Sequence, residues 1–159
     1  MTVVSMRIAE TIRVPRGGSI ASIHRLGEGG PACFPLFTAR IPAGFPSPAD
    51  DYVDKGLDLN ELLVRHPAAT FFVRVSGESM TGAGIHSGDV LVVDRAVAAR
   101  NRSVIIAALN GELTVKRFVR EKGRVHLVSE NPDYAPLEVT DGMEFEVWGV
   151  VVHVIHSFK

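Results

Sequence analysis

From residue 69 onward the apolar positions fall into short runs separated by turn residues. Phe71-Phe72-Val73-Arg74-Val75, Asp89 to Asp94, Ser103 to Leu109, Glu112 to Phe118, Arg124 to Ser129 and Glu144 to Ile155 each have the length and the β-branched or aromatic content of a strand. Asn110-Gly111, between two of these runs, is a strong short signal for a β-hairpin. Asn131-Pro132-Asp133 and Thr140-Asp141-Gly142 read as turns. Strands this short and this closely spaced predict a mainly β architecture, compact and curled or barrel-like. One helix is expected, over Leu57 to His66. Asp58 is its N-cap and Glu61 completes a capping box, while Leu59, Leu62, Leu63 and His66 share a face and Pro67 stops it.

The front of the chain lacks such a rhythm. Pro15-Arg16-Gly17-Gly18 and Gly27-Glu28-Gly29-Gly30-Pro31 are breaker clusters. Residues 1–33 are therefore expected to form a mobile arm, from which a piece such as Ser19 to Arg25 adds to a sheet edge. Two amphipathic helices joined by a short turn are not found there, so a helix-turn-helix is not expected. Between Phe34 and Tyr52 stand four prolines, at positions 35, 42, 46 and 48. They disfavour a helix and most sheet pairing, leaving an extended, accessible segment in which the Ala43-Gly44 bond is sterically open. Composition alone favours a plain linker. The other reading is a peptide presented to a protease, since such enzymes bind their substrates extended. The expected division is an N-terminal arm, 1–43, and a β-rich domain, 44–159.

Composition narrows the setting. The 159 residues suffice for one domain with a core, and 46% hydrophobic against 22% charged residues is ordinary for a globular protein. Net charge is −1, without the basic signature of a nucleic-acid binder, so direct sequence-specific DNA binding is not expected. Residues 1–43 carry five arginines against two glutamates, a net +3, which leaves −4 on the remainder. Cys33 is the single cysteine, so no intramolecular disulfide forms. Neither a membrane-length apolar run nor a signal-peptide core is present. A cytoplasmic protein without a membrane role is expected.

The chemistry lies in two residues. Ser79 follows the strand ending at Val75 and opens a glycine-rich loop, Thr81 to Gly88, where turn N–H groups are available. In Glu112 to Phe118, Leu113 and Val115 point one way and Thr114, Lys116 and Phe118 the other. Burial on that face would lower the pKa of Lys116 and suit it to act as a general base. A serine needs an adjacent base, and a Ser–Lys pair supplies one without histidine or carboxylate. The backbone N–H groups of Glu78 and Ser79 are candidates for an oxyanion hole. Taken singly, Ser79 is more simply a turn residue and Lys116 an edge residue. His24, His66, His86, His126, His153 and His156 show no metal-ligand spacing, so neither metal nor cofactor is expected. Asp89 and Asp94 read as strand ends, and Trp148 as core or dimer surface.

The combination resembles a known family. Phe34-Pro35-Leu36-Phe37, Ala43-Gly44-Phe45-Pro46-Ser47-Pro48-Ala49-Asp50-Asp51-Tyr52, Ser76-Gly77-Glu78-Ser79-Met80, Ser87-Gly88-Asp89, Gly111-Glu112-Leu113-Thr114-Val115-Lys116 and Trp148-Gly149-Val150-Val151 occur in the order found in UmuD-like members of the LexA-like self-cleaving Ser–Lys peptidases. The resemblance runs from about Phe34 to the C-terminus. It implies Ser79 as nucleophile, Lys116 as base and Ala43-Gly44 as the bond cut, within one chain or between dimer partners. It further implies a homodimer, stimulation by a RecA filament on single-stranded DNA, and a processed product that serves a Y-family, UmuC-like polymerase subunit in translesion synthesis. The 33 residues before Phe34 depart from this pattern, and they are too short of ordered sequence for a DNA-binding repressor domain. The alternatives are a LexA-like transcriptional repressor, a signal-peptidase-like protease and a non-enzymatic β binding module.

Overall fold

From Phe71 on, alternation shapes the strand Thr70–Val75. Phe71, Val73 and Val75 are buried, Arg74 is exposed, and Phe72 lies between these extremes. In the computed structural model, which describes residues 8–12, 20–26, 33–37, 43–44 and 53–158, this strand is β5 of eleven. The others are β1 Ile8–Ile12, β2 Ile20–Leu26, β3 Cys33–Phe37, β4 Val53–Asp58, β6 Val90–Asp94, β7 Val104–Leu109, β8 Glu112–Glu121, β9 Arg124–Val128, β10 Leu137–Val139 and β11 Phe145–Ile155. Nine of them form one antiparallel sheet in the order β1-β2-β5-β6-β11-β7-β8-β9-β10, which curls into a half-barrel. The mainly β, curled architecture expected from the strand spacing is what forms.

The long strand β11 joins the two halves of the sheet. Its first half pairs with β7 and its second with β6, and a register shift interrupts each pairing, at Val147/Gly149 and Val151/His153. Such irregularities bend a strand and sharpen its twist. The curl buries the central strands on both faces. In β7, Ile106 packs with Val115, Val73 and Leu91 in one cluster, while Ile105 and Ala107 pack with Phe118, Leu127 and Val150 in another. In β6, Leu91, Val92 and Val93 are all fully buried, as a continuous apolar run implies. Asn110 and Gly111 both adopt left-handed backbone, φ 49° and 80°, so the β7–β8 hairpin turns where the sequence placed it.

Three expectations for the front half are revised. Residues 20–26 join the sheet, as expected for Ser19 to Arg25, but not at its edge: β2 lies between β1 and β5, and a register shift between Ile20 and Ser22 puts Ile20 and Ile23 into the same core cluster despite their odd spacing. The proline-rich segment is also paired in part. β3 and β4 form a separate two-stranded sheet in which Pro35 stands opposite Gly56, beside a register shift. A proline is tolerated there because each strand of a two-stranded sheet is an edge, and the missing N–H lies at an irregularity. The helix shrinks to α1, Leu59–Leu63. Asp58 caps it by accepting the Asn60 N–H at 2.8 Å, but β4 claims Leu57 and Asp58, and Pro67 opens a 3₁₀ turn, Pro67–Ala69. His66 instead donates from Nδ1 to the buried Asp94 at the end of β6, at 2.6 Å. Trp148 packs edge-on against Phe71, with ring centroids 5.1 Å apart. No helix among the described residues is long and apolar enough to cross a membrane.

Ile23 tests the place of β2. It is 1% exposed, so Ile23→Ala should cost about 2–5 kcal/mol of unfolding free energy in urea. Its exposed neighbour Ala21, replaced by Ser, should change little. Equal, negligible effects would mean that β2 is not part of the sheet.

Candidate functional site

The loop from Ser76 to Asp89 is pinched at its base and held by two buried side chains. Gly88 N–H donates to the Val75 carbonyl at 2.9 Å and Val75 N–H to the Asp89 carbonyl at 3.0 Å, continuing the β5–β6 ladder. Gly77 takes φ 96°, a left-handed conformation that turns the chain straight after β5. Met80 and Ile85, each 2% exposed, then enter the core, and the Met80 carbonyl accepts from the N–H groups of Ala83 and Ile85. Ser79 immediately precedes the first anchor. Its side chain is consequently fixed and largely buried.

Lys116 reaches it from β8. Its Nζ lies 3.1 Å from Ser79 Oγ, across 37 residues of sequence, and donates to it. Cross-strand pairing with Ile105, which is fully buried, holds the backbone of Lys116 in place. Burial pushes the Lys116 ammonium below its ordinary pKa, because the charged form loses water. Among the described residues no carboxylate lies within ion-pair distance to restore the charge. The nearest aromatic face is Tyr134, with its centroid 5.9 Å from Nζ. A buried amine so placed can accept a proton from a hydroxyl. The N–H groups of Glu78 and Ser79 have no hydrogen-bond partner among the described residues, which leaves them able to donate to a developing oxyanion.

A second turn, after β9, supports this loop from behind. Asn131 Nδ2 donates to the Glu78 carbonyl at 2.8 Å, and Gly82 N–H donates to the Glu130 carbonyl at 2.6 Å. A Cβ at Gly82 would stand 2.6 Å from that same carbonyl oxygen, so only glycine permits the approach. Glu130 in turn pairs with Arg117, the neighbour of Lys116, and Arg117 also donates to the Arg102 carbonyl at 2.6 Å. The sequence marked Asn131 only as a turn residue. Its role was accessible through register: Arg117 stands opposite Val128, so whatever follows Val128 must emerge beside Lys116.

The third expected element stands apart. Ala43 and Gly44 form an exposed bend on the connection between β3 and β4, and no described residue lies within 4 Å of a Cβ built at Gly44. Both residues of the bond are exposed. The residues on either side, 38–42 and 45–52, lie outside the described residues. Histidine spacing gave no metal site, yet His86, Asp89 and His156 converge at the end of the Ser79 loop. His156 does not share a strand with His153 at this point, because β11 ends at Ile155.

Comparison with known proteins places this geometry in context. The Peptidase S24-like family matches residues 35–152, a span that includes Ser79, Lys116, Asn131 and the Ala43-Gly44 bond. Protein SamA of Salmonella typhimurium is 50% identical over 125 residues, covering 79% of this chain and 86% of that protein. Protein MucA of Escherichia coli is 47% identical over 120 residues, covering 75% and 82%. The LexA repressor of Bordetella pertussis is 40% identical over 119 residues, 74% of this chain but only 54% of that repressor. The chain belongs to the Peptidase S24-like family, in keeping with the UmuD-like, LexA-related pattern of its motifs.

Proposed function

We propose that this family member is a serine endopeptidase that cuts its own chain at Ala43-Gly44, with Ser79 as nucleophile and Lys116 as general base. The observation that carries the reading is the 3.1 Å contact between Ser79 Oγ and the buried, carboxylate-free Lys116 Nζ. Neutral Lys116 takes the Ser79 hydroxyl proton as Oγ bonds to the Ala43 carbonyl carbon. The negative charge that moves onto the carbonyl oxygen is met by the N–H groups of Glu78 and Ser79. Lys116 then returns its proton to the Gly44 nitrogen as the C–N bond breaks, and a water, deprotonated by the same amine, hydrolyses the Ala43 ester. The product is residues 44–159. The exposed Ala43-Gly44 bond has to be seated on Ser79 for reaction, in its own chain or in a partner. Presentation of the bond is a step that a second protein can accelerate.

Resemblance to the UmuD-like proteins supplies the setting. The protein acts in the cytoplasm as a homodimer in SOS mutagenesis. A RecA filament on single-stranded DNA stimulates cleavage, and the processed dimer serves a Y-family, UmuC-like polymerase subunit in translesion synthesis. Exposed Val152, Val154 and Ile155 on β11 suit a dimer contact. A LexA-type repressor is the poorer reading: Protein SamA is 50% identical and the LexA repressor 40%, and residues 8–12 and 20–26 are strands β1 and β2, not helices.

The pH dependence has a definite sign. Neutral amine is the active form, so cleavage should rise with pH, about tenfold per unit below the Lys116 pKa, and level off earlier than an ordinary lysine would allow. Intact mass after incubation across that range should show a 116-residue fragment starting at Gly44. Ser79→Ala and Lys116→Ala should each reduce it more than about 10³-fold without unfolding the domain. An unchanged mass at every pH, with activated RecA filament present, would refute the reading.

Asn131→Ala gives a second check. It frees the Glu78 carbonyl and loosens the loop, so cleavage should slow by about 10–100-fold. The melting temperature should move only slightly, since the bond is exposed. An unaffected rate would mean that Ser76 to Met80 is held without it.

A further inference from the structure

Asp89 is a buried carboxylate, its side chain 3% exposed, and neither lysine nor arginine faces it among the described residues. Its partners are two imidazoles and a backbone amide. Oδ1 accepts from His156 Nδ1 at 2.6 Å, Oδ2 accepts from the His86 N–H at 2.8 Å, and His86 Nδ1 stands 3.8 Å from Oδ2. The two rings are tilted at 51° to each other with centroids 5.2 Å apart. One ligand atom from each of the three side chains lies within 4.8 Å of the others. The carboxylate side is closed by the core, whereas the imidazole side is open, at 48% and 39% exposure for His86 and His156.

We propose that His86, Asp89 and His156 form a binding site for a zinc-like divalent transition-metal ion. Two imidazoles and one carboxylate, with water in the fourth position, are a ligand set that Zn²⁺ takes readily and that Ca²⁺ and Mg²⁺ do not. With metal–ligand distances of about 2.0–2.1 Å, a tetrahedral shell separates its ligands by about 3.3 Å. The 2.6 Å contact to Oδ1 has to open, the 3.8 Å one to Oδ2 to close, and the widest separation in the cluster, 4.8 Å at most, to close by up to about 1.5 Å on that geometry. These adjustments fall on the exposed imidazoles. The carboxylate already has its support, because the His86 N–H orients it from behind as an outer-shell donor does. If His156 ligates through Nδ1, the metal takes the place of the proton shared with Asp89 and the neutral imidazole carries its proton on Nε2. The ion ties the chain just beyond β11 to the end of the loop that carries Ser79, elements 67 residues apart in sequence. Phe158, edge-on to His156 with centroids 5.1 Å apart, covers one flank. This site is independent of the peptidase reading.

The test uses the full-length chain without a histidine tag, titrated with Co²⁺ at neutral pH and back-titrated with Zn²⁺. The expected result is one equivalent per chain, with the intense visible bands of four-coordinate Co²⁺, displaced by Zn²⁺. His86→Ala and His156→Ala should each weaken binding at least about tenfold. His153→Ala, outside the cluster, should leave it unchanged. Zinc should also raise the melting temperature of the parent chain but not of His86→Ala. Both cluster histidines are half-exposed, and far-UV circular dichroism checks that their variants remain folded. Absence of a stoichiometric site, or binding that survives either substitution at full strength, would overturn the proposal and leave the His156–Asp89 contact as a simple tie for the end of the chain.

Discussion

A lysine ammonium withdrawn from water beside a serine hydroxyl is the constraint on which the rest of this molecule depends. An amine in that position is held there against its own desolvation, and only a rigid frame can do so. The frame is identifiable. β8 is fixed between β7 and β9, the Ser79 loop is fixed by Met80 and Ile85, and the turn carrying Glu130 and Asn131 bridges the two. The Arg117–Glu130 ion pair sits in that bridge and keeps Glu130 occupied. A free carboxylate beside Lys116 would hold the amine charged and remove its basicity.

The curl of the sheet is what brings these parts together. β11 changes partner along its length, and its two irregularities let one continuous strand serve both halves. Residues from β5 and β8, remote in sequence, are thereby folded around one core in which Val75, Met80 and Val115 pack together. Val115 and Met80 are the immediate neighbours of Lys116 and Ser79. Burying these two apolar residues therefore sets the distance between the two polar ones. A side-chain geometry of this kind rests on core packing, and loop chemistry alone does not provide it.

Much of this was legible in the sequence, and what was not has physical causes. Alternation in Thr70–Val75 and in Glu112–Phe118, together with the Asn110-Gly111 turn, marked the strands and the hairpin that presents Lys116. The motif order singles out Ser79 and Lys116, whose side chains the fold brings to 3.1 Å. Long-range pairing was hidden. Ile20 and Ile23 look like opposite faces until a strand irregularity puts them on one, and Pro35 argued against a strand that an edge position tolerates. The N-cap signal at Asp58 was correct in kind, but it competed with β4 for the same residue. The cluster of His86, Asp89 and His156 was invisible because spacing rules find ligands close in sequence, and these depend on where β11 ends.

The central claim is that Lys116 is a depressed-pKa base poised on Ser79, and its own titration tests that most directly. In a Ser79→Ala chain labelled at lysine, the Cε and Nζ resonances of Lys116 can be followed against pH beside those of exposed Lys122. The substitution prevents cleavage during the measurement and leaves the burial of the amine in place. A Lys116 midpoint clearly below that of Lys122 is the result predicted, because desolvation disfavours its ammonium. Coincident midpoints would contradict the account, since the amine would then be as fully charged at neutral pH as any surface lysine and unable to take the serine proton.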